Sequence, residues 1–278
     1  MTAQISEAAR LIDAAVQSRL HRHENGKPLL IGLCGSQGSG KSTVCKELAT
    51  KWSDQGLRVA VLSLDDLYLT RDERERLARD VHPLLATRGV PGTHDVSLGI
   101  KTLHALSEPG RVKLPRFDKA NDDRSPETCW DVVEAPVDVI LFEGWCVGAR
   151  PERSAALSKP INSLEASEDA EGRWRKYVND ELAGEYQTLF ALIDFLVLLA
   201  APDFDVVLKW RTQQERELRM QRQGSAVMDD LALARFVQHY ERLTRHILNE
   251  MPARANLVMR LDEDRRILSA QGREGKSI

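Results

Sequence analysis

The stretch that decides the fold is Gly35-Ser36-Gln37-Gly38-Ser39-Gly40-Lys41-Ser42. It matches the pattern G-x-x-x-x-G-K-[ST] at every fixed position, follows an apolar run at 29–34 and opens a segment with helical periodicity. Glycines allow the backbone to wrap closely and to point successive N–H groups at phosphate oxygens, while the helix adds the positive end of its dipole. The stretch therefore predicts a nucleotide phosphate site, which we extend by one residue to Thr43.

Two side chains of this loop have predicted roles of their own. Lys41 would place a point charge on the β- and γ-phosphates, and the Ser42 hydroxyl would bind Mg²⁺. The predicted cofactors are therefore ATP and Mg²⁺. The alternative is a chance match in a glycine-rich turn, which the position of the loop between a strand and a helix disfavours.

The composition is that of an ordinary globular protein. The chain has 278 residues, of which 42% are hydrophobic and 29% charged, and its net charge is −3. This balance gives no reason to expect a nucleic-acid partner or an anionic membrane surface. The longest apolar run, 195–202, is far shorter than the roughly 20 residues of a membrane-spanning helix. Because the N-terminus also lacks the pattern of a secretory signal, we expect a cytoplasmic protein.

Apolar runs that alternate with helical patterns predict an α/β fold. We expect a three-layer P-loop NTPase architecture, which is a mainly parallel sheet with helices on both faces and a helical lid. Residues 1–24 would form a helix packed on the core, and 25–270 a single domain with a mobile insertion at 150–172 and the lid at 205–228. Prolines in 109–136 indicate long loops with one short strand. The N-terminal helix has a second possible use in dimerisation, so a monomer and a homodimer both stay open.

Carboxylates follow two predicted strands, at the edge where open α/β sheets bind their ligands. Asp65 and Asp66 follow the second strand, and Glu143 follows a later one. Phosphoryl transfer to an alcohol needs an acceptor for the hydroxyl proton, and Asp65 is our candidate, with a possible further part in binding the metal. Glu143 is the candidate metal ligand beside Ser42. The simpler alternatives are a helix cap for the two aspartates and a solvated strand end for Glu143.

A basic helix at 205–223 is the candidate lid. Such a helix can close over a nucleotide, exclude water and present a guanidinium group to the transferring phosphoryl group. We predict that Arg211 is this residue. The alternative is a solvated helix face on which acidic neighbours pair with the arginines for about a few tenths of a kcal/mol each.

Four further stretches carry a family resemblance. They are Ser63-Leu64-Asp65-Asp66-Leu67-Tyr68-Leu69-Thr70, Arg88-Gly89-Val90-Pro91-Gly92-Thr93-His94-Asp95, Leu114-Pro115-Arg116-Phe117-Asp118-Lys119 and Phe142-Glu143-Gly144-Trp145. The first resembles the S-x-D-x-x-Y pattern of the uridine kinase and phosphoribulokinase superfamily. Together and in this order, the four resemble the P-loop type of D-glycerate 3-kinase. The second stretch is the most discriminating of them.

The resemblance implies a metabolite kinase in which Asp65 is the catalytic base. It also implies an acceptor pocket that is shaped by Asp66, Tyr68, Arg88, His94, Asp95, Arg116 and Lys119. Basic residues suit a small anionic acceptor such as glycerate because they can pair with its carboxylate. The plainer alternatives are a loop hydrogen bond or helix cap at 94–95 and ordinary surface charge at 116 and 119.

Other acceptors are compatible with the pattern. Asn121-Asp122-Asp123-Arg124 stands where we expect a turn with more glycine in the plant-type enzymes. Uridine, pantothenate or another small sugar acid are alternative acceptors, and a P-loop NTPase without an acceptor is an alternative class. A protein that binds ATP without catalysis is disfavoured because the loop, Asp65 and Glu143 are all intact.

Replacing Asp65 by Asn tests the predicted base. The amide keeps the size of the side chain but cannot take up a proton, so kcat should fall roughly 10²-fold or more. The affinity for ATP should stay nearly unchanged, which a nucleotide-binding titration of Asp65→Asn checks. A near-normal rate would remove Asp65 as the base.

Overall fold

The computed structural model describes residues 6–20, 27–221 and 230–273 of the chain. These ranges contain ten strands and nine α-helices. The strands are β1 (Leu29–Gly35), β2 (Val59–Ser63), β3 (Gly110–Leu114), β4 (Phe117–Asp118), β5 (Asp123–Arg124), β6 (Asp131–Ala135), β7 (Val139–Gly144), β8 (Phe195–Ala200), β9 (Leu257–Leu261) and β10 (Ile267–Gly272). The helices are α1 (Glu7–Leu20), α2 (Lys41–Asp54), α3 (Arg71–Asp80), α4 (Val96–Ala105), α5 (Ser163–Glu168), α6 (Arg173–Ala183), α7 (Glu185–Phe190), α8 (Asp205–Gln221) and α9 (Asp230–Glu250).

Six of these strands form one sheet in the order β10-β9-β8-β1-β7-β2. Its first five strands in sequence are parallel, and the edge strand β10 runs antiparallel to β9. Alternate residues of β1 enter two separate cores, because Leu30 and Cys34 belong to one and Ile31 and Leu33 to the other. A sheet that is buried on both faces explains why these strands are continuous apolar runs.

Helices cover both faces of this sheet. One core includes Val16 of α1 and Leu48 of α2, and the other includes Leu103 of α4, Leu189 of α7 and Ile247 of α9. The predicted three-layer α/β fold is therefore confirmed. None of the described helices is long and apolar enough to cross a membrane.

The order of the strands brings three predicted functional segments to one edge. β7 lies between β1 and β2, and Glu143 in β7 is in register with Leu33 of β1 and Ser63 of β2. The phosphate loop begins two residues after Leu33, and Asp65 lies two residues after Ser63. All three segments therefore lie at the carboxyl ends of neighbouring parallel strands.

Two segments contain more regular structure than we predicted. Residues 109–136 form two antiparallel ribbons, β3 with β6 and β4 with β5, instead of loops with one strand. Most residues of β3 and β6 are exposed or half-buried, so their sequence lacks the apolar run that marks a buried strand. In addition, β10 extends to Gly272, which is two residues beyond the predicted end of the domain at 270.

The stretch 150–172 differs from the mobile, irregular insertion that we predicted. It contains α5 and a short 3-10 turn, and several ion pairs attach it to neighbouring helices. Asp169 pairs with Arg175 of α6 at 2.9 Å, and Glu165 pairs with Arg242 of α9 at 2.7 Å. Both carboxylates are almost fully buried, so the polar composition of this stretch did not indicate exposure.

The predicted lid at 205–228 falls partly outside the described residues. α8 covers its first part as far as Gln221, in agreement with the predicted basic helix. The last part of the predicted lid, 222–228, lies in the part of the chain that the structure does not describe.

A buried carboxylate attaches α1 to α2. Asp13 accepts hydrogen bonds from Lys51 Nζ at 2.6 Å, Trp52 Nε1 at 2.7 Å and Gln17 Nε2 at 2.6 Å. Burial alone would raise the pKa of Asp13, but the bonds from Lys51, Trp52 and Gln17 outweigh it and lower the pKa. The N-terminal helix is thus held to the core by both charge and apolar packing.

Asp13→Asn should reduce stability at neutral pH more than in acid. A carboxyl whose pKa is lowered by folding adds stability above its unfolded pKa of about 3.9, and that stability is lost as the pH falls through the folded pKa. The free energy of unfolding at neutral pH should therefore drop by roughly 1–3 kcal/mol, as measured by urea denaturation. The difference from wild type should shrink below about pH 4.

The matched control is Asp54→Asn, at the exposed end of α2. We expect this change to stay within about 0.5 kcal/mol of wild type at any pH. An Asp13→Asn difference that is as large in acid as at neutral pH would contradict the linkage.

Candidate active site

The phosphate loop has the backbone geometry that its glycines require. Gly38 and Gly40 have positive φ angles of 80° and 91°, which other residues disfavour. A Cβ atom on Gly38 would also lie 2.7 Å from the Cβ atom of Trp210 in α8. The hydroxyl oxygens of Ser36 and Ser39 are buried without a hydrogen-bond partner among the described residues. Such orphaned polar atoms fit a loop that phosphate oxygens complete.

Lys41 and the start of α2 supply the positive charge of this loop. Lys41 is buried, and its Nζ donates to the backbone oxygen of Ser36 at 3.1 Å. The side chain therefore bends back over the loop. The N–H groups of the first turn of α2, which includes Ser42 and Thr43, have no partner within a helix and favour an anion.

Ser42 and Glu143 form the pair that we predicted for a metal. The Ser42 hydroxyl donates to Glu143 Oε1 at 2.8 Å, and Glu143 is buried at the end of β7. Hydroxyl and carboxylate oxygens suit Mg²⁺, which commonly takes one or two protein ligands and completes its shell with water and phosphate. Across the described ranges, no group of three or more His, Cys, Asp or Glu gathers that could hold a metal ion. A metal at Ser42 and Glu143 would therefore take its other ligands from the nucleotide and water.

Asp65 lies in a 3-10 turn, Leu64–Leu67, that follows β2. Its Oδ1 accepts a hydrogen bond from the Tyr68 hydroxyl at 2.8 Å, and its Oδ2 lies 2.5 Å from Lys119 Nζ. Burial alone would raise the pKa of Asp65, but Lys119 and then Tyr68 outweigh burial and hold the pKa well below its usual range. Asp65 is ionised, as a base must be, yet it is a weak base while Lys119 stays paired with it. Since both of its oxygens are engaged, a part for Asp65 in metal binding stays a prediction.

Asp66 connects the Asp65 turn to the β4–β5 ribbon. It accepts hydrogen bonds from the backbone N–H of Phe117 at 3.1 Å and from Arg116 Nη1 at 3.1 Å. Arg116 also contacts Asp131, with a distance of 2.8 Å between Nη2 and Oδ2. Arg116 is thus held between two carboxylates, and an anionic ligand would reach it by replacing one of them.

The R-G-x-P-G-T-H-D stretch lies against the Asp65 turn. The backbone N–H of Asp95 donates to the oxygen of Leu67 at 2.7 Å, and Tyr68 forms an antiparallel bridge with His94. The imidazole of His94 stacks on the Tyr68 ring, with 4.6 Å between ring centroids. The structure therefore brings Asp65, Tyr68 and His94 together, as we predicted from the motifs.

Asp95 has the structural role that we gave as the alternative. Its Oδ1 accepts a hydrogen bond from the backbone N–H of Leu98 at 2.9 Å, which caps α4. Its Oδ2 pairs with Arg124 at 3.2 Å. Both oxygens are engaged, and a direct role toward the acceptor stays a prediction. We did not predict a role for Arg124 from the sequence, because Asp95, with which it pairs, lies on a different element.

Arg88 pairs with Asp122, and its guanidinium lies 5.5 Å from the centroid of the Phe117 ring. Asp122 has a positive φ of 54° and also pairs with Arg74 at 3.0 Å. This is the turn where we expected more glycine. Aspartate tolerates the left-handed conformation better than most residues, and here its carboxylate binds two arginines as well.

The predicted lid residue Arg211 lies beside α9. Its guanidinium is 6.0 Å from the centroid of the Phe236 ring. Its positive charge acts on Tyr240, whose hydroxyl donates to the backbone oxygen of Arg88 at 3.0 Å. Arg211 is therefore close to the tyrosine that contacts Arg88, and its contact with a phosphoryl group stays a prediction.

Comparisons with known proteins identify relatives of this chain. A family model described as Methylmalonyl Co-A mutase-associated GTPase MeaB matches residues 4–67, which include the phosphate loop. The chain is 37% identical over 230 residues to a protein named Uncharacterized kinase mug58 from Schizosaccharomyces pombe, covering 77% of this chain and 79% of that protein. The chain belongs to this family of P-loop kinases.

Two similar proteins have a named substrate. The chloroplastic D-glycerate 3-kinase of Arabidopsis thaliana is 34% identical over 224 residues, which cover 77% of this chain and 46% of that protein. This chain therefore matches less than half the length of the plant protein. The solved structure of D-glycerate 3-kinase from Cryptococcus neoformans var. grubii has a TM-score of 0.81 at 26% identity, covering 96% of this chain and all of that one.

The kinase has one further residue at the phosphate loop that we did not predict. Arg265 lies in the turn between β9 and β10, with a positive φ of 68°. Its Nε donates to the backbone oxygen of Gly38 at 2.6 Å, its guanidinium lies 5.2 Å from the Trp210 ring centroid, and both Nη atoms contact Gln213 Oε1 at 3.1 Å. Arg265 thus connects the loop to α8, across 227 residues of sequence.

Arg265→Ala should weaken nucleotide binding more than acceptor binding. A charge-assisted hydrogen bond contributes about 1.5–3 kcal/mol, so we expect KM for ATP to rise roughly tenfold or more while KM for the acceptor changes little. Steady-state kinetics with each substrate varied in turn would measure both values. The matched control is Lys209→Ala, which removes an exposed pair with Glu263 of the same turn and should leave both values unchanged. Equal increases in the two KM values would contradict a specific role in positioning the loop.

Proposed function

We propose that this kinase transfers the γ-phosphoryl group of ATP to a hydroxyl of a small carboxylic acid, with D-glycerate as the first choice and 3-phosphoglycerate as its product. The observation that carries the proposal is the position of Asp65. Its carboxylate lies at the same sheet edge as the phosphate loop, Lys119 pairs with it, and Arg116 pairs with the neighbouring Asp66. Similarity to two D-glycerate 3-kinases supports the choice of acceptor.

The nucleotide side of the site would hold Mg·ATP. Lys41, the loop N–H groups and the start of α2 would bind the phosphates, and Ser42 and Glu143 would hold Mg²⁺. When bound, Mg²⁺ supplies positive charge that offsets the negative charge on the phosphoryl oxygens. The protein contributes a rigid frame for this charge, because the residues that hold it lie on β1, α2 and β7.

The acceptor side of the site would recognise a carboxylate. Arg88, Arg116 and Lys119 each pair with an aspartate in the structure, so an anionic acceptor can replace an internal partner. The Lys119 contact matters most for the chemistry. When the acceptor carboxylate draws Lys119 away from Asp65, the pKa of Asp65 is no longer held down by that ammonium group, and Asp65 can accept the hydroxyl proton.

The helix α8 is the proposed lid of the site. Arg211 on α8 would stabilise the transferring phosphoryl group once the lid closes. The cytoplasmic location, a partner set without nucleic acid or membrane, the single domain and the monomeric or homodimeric state all stay predictions.

An assay of ADP release over a panel of acceptors tests the proposed function. We expect turnover with D-glycerate to exceed turnover with uridine, pantothenate or no acceptor by roughly 10²-fold or more, because a site built to pair with a carboxylate leaves its basic groups unpaired with other ligands. Phosphorus NMR of the product would identify the phosphorylated hydroxyl. The Lys41→Met variant, prepared in the same way, controls for contaminating kinases.

Two outcomes would overturn the proposal. An equal rate of ADP release without any acceptor would indicate an NTPase. Faster turnover with uridine or pantothenate than with any small acid would move the chain to a different substrate class within the same fold.

A further inference from the structure

Two buried side chains, Tyr186 and His94, form a hydrogen-bonded pair behind the acceptor site. Tyr186 lies on α7, and its hydroxyl oxygen is 2.7 Å from His94 Nδ1. The same oxygen accepts a hydrogen bond from the backbone N–H of Gly92 at 3.0 Å. Both rings are almost entirely buried, with 1% exposure for Tyr186 and 5% for His94.

The geometry of the pair determines where the imidazole carries its proton. A tyrosine hydroxyl has one proton to donate, and Gly92 already occupies the oxygen as a donor. The acceptor that the structure offers to that proton, within the described residues, is His94 Nδ1. Nδ1 must then be unprotonated, so a neutral imidazole carries its proton on Nε2.

Burial keeps this imidazole neutral. It lowers the pKa of His94 to about 3, against a smaller opposing effect of the negative charge on Asp65. At neutral pH His94 therefore presents one N–H group at Nε2 and no positive charge. The electrostatic effect of Asp65 also shows that the imidazole lies close to the proposed base.

His94 Nε2 is buried, and it has no hydrogen-bond partner in the parts of the chain that the structure covers. A buried N–H group without a partner costs about 1–3 kcal/mol, so folded proteins rarely keep one without a reason. Two of the seven other orphaned atoms among the described residues, the hydroxyls of Ser36 and Ser39, belong to the phosphate loop, where phosphate oxygens would complete them. The same explanation applies to His94 if a ligand oxygen reaches it.

The stacking of His94 on Tyr68 brings the imidazole to the tyrosine that also contacts Asp65. The two rings are 4.6 Å apart at 26° to each other, and the Tyr68 hydroxyl is bonded to Asp65. His94 and the proposed base therefore contact the same tyrosine ring, one at its face and one at its hydroxyl.

We propose that His94 Nε2–H donates a hydrogen bond to the oxygen of the acceptor that neighbours the reacting hydroxyl, and that Tyr186 holds His94 in the tautomer that allows it. For a glyceric acid that reacts at its terminal hydroxyl, this oxygen is the 2-hydroxyl. The inference rests on the proposed function and adds to it the origin of specificity. The basic residues select an anion, whereas His94 selects an anion that carries a second hydroxyl.

A substrate pair that differs by this one oxygen gives the test. D-glycerate and 3-hydroxypropanoate share the carboxylate and the terminal hydroxyl, and only D-glycerate has the 2-hydroxyl. Wild type should prefer D-glycerate in kcat/KM by roughly 10²-fold or more, because a buried N–H is left unpaired with the simpler acid. His94→Phe keeps a stacking ring but has no donor, so it should lose most of this preference by reducing kcat/KM for D-glycerate alone.

Two further variants separate recognition from packing. His94→Gln retains an amide donor and should recover part of the preference, while Tyr186→Phe should weaken it by releasing the tautomer. KM for ATP should stay near its wild-type value in all three variants. A ratio between the two acids that is the same in wild type and His94→Phe would overturn the proposal.

Nitrogen NMR of the ¹⁵N-histidine-labelled enzyme tests the tautomer without any activity measurement. The resonance that disappears in His94→Phe should show a protonated Nε2 and a bare Nδ1 near neutral pH. The opposite pattern would overturn the inference even if the enzyme phosphorylates D-glycerate. If wild type turns over neither acid while the NMR pattern is as expected, the proposed function is wrong, and with it the assignment of the ligand oxygen.

Discussion

The parallel pairing of β2, β7 and β1 is the constraint on which the rest of the site depends. Parallel strands end at the same edge of a sheet, so a single register determines where the phosphate loop, Glu143 and Asp65 can lie. The register puts Glu143 between the other two, and the hydrogen bond from Ser42 to Glu143 attaches the start of α2 to the end of β7. A shift of register by one residue would turn Glu143 to the other face of the sheet and break this contact.

Around this edge, positive charge on the acceptor side is balanced by aspartates. Lys119 pairs with Asp65, Arg116 with Asp66, and Arg88 with Asp122. Each pair is at least partly accessible, so the cost of exchanging a partner is smaller than for a fully buried ion pair. The balance keeps the site stable when empty and lets an anion enter by replacement. In the proposed reaction it would also link acceptor binding to the basicity of Asp65, since the same lysine would serve both.

Local patterns predicted the parts of the fold that local forces determine. The apolar runs of β1, β7 and β8 and the loop before Lys41 follow from strand burial and from backbone conformation, and both leave marks on neighbouring residues. The stretch 150–172 was misread because Glu165 and Asp169 are buried through partners on other helices, and a polar residue looks the same in sequence whether it is paired or solvated. The ribbons in 109–136 lack apolar runs because most of their residues face solvent.

Within the candidate site, the same limit separates what was predicted from what was missed. Asp65, Lys41 and Glu143 stand in motifs with fixed spacing, and the structure gathers them as expected. Arg265 and Tyr186 touch the site from distant parts of the chain, and neither stands in a pattern of its own. Their roles depend on contacts such as Arg265 with Gly38, which only the folded chain creates. A turn with glycine was expected at 121–124, yet Asp122 meets the same backbone requirement and adds charge.

Charge and neutral hydrogen bonding contribute differently to such a site. Flexible cations attract any small anion, and their long side chains adapt to many shapes, so they discriminate poorly between related acids. A neutral donor held in one tautomer and one ring orientation is rigid, and it loses a full hydrogen bond when the matching oxygen is absent. The layer of Tyr68, His94 and Tyr186 has this rigidity because its rings are buried, with His94 stacked on Tyr68 and edge-on to Tyr186. In the proposed reaction, selectivity among small acids would therefore depend on the aromatic layer beneath the charges, while the charges themselves would provide affinity and couple binding to proton transfer.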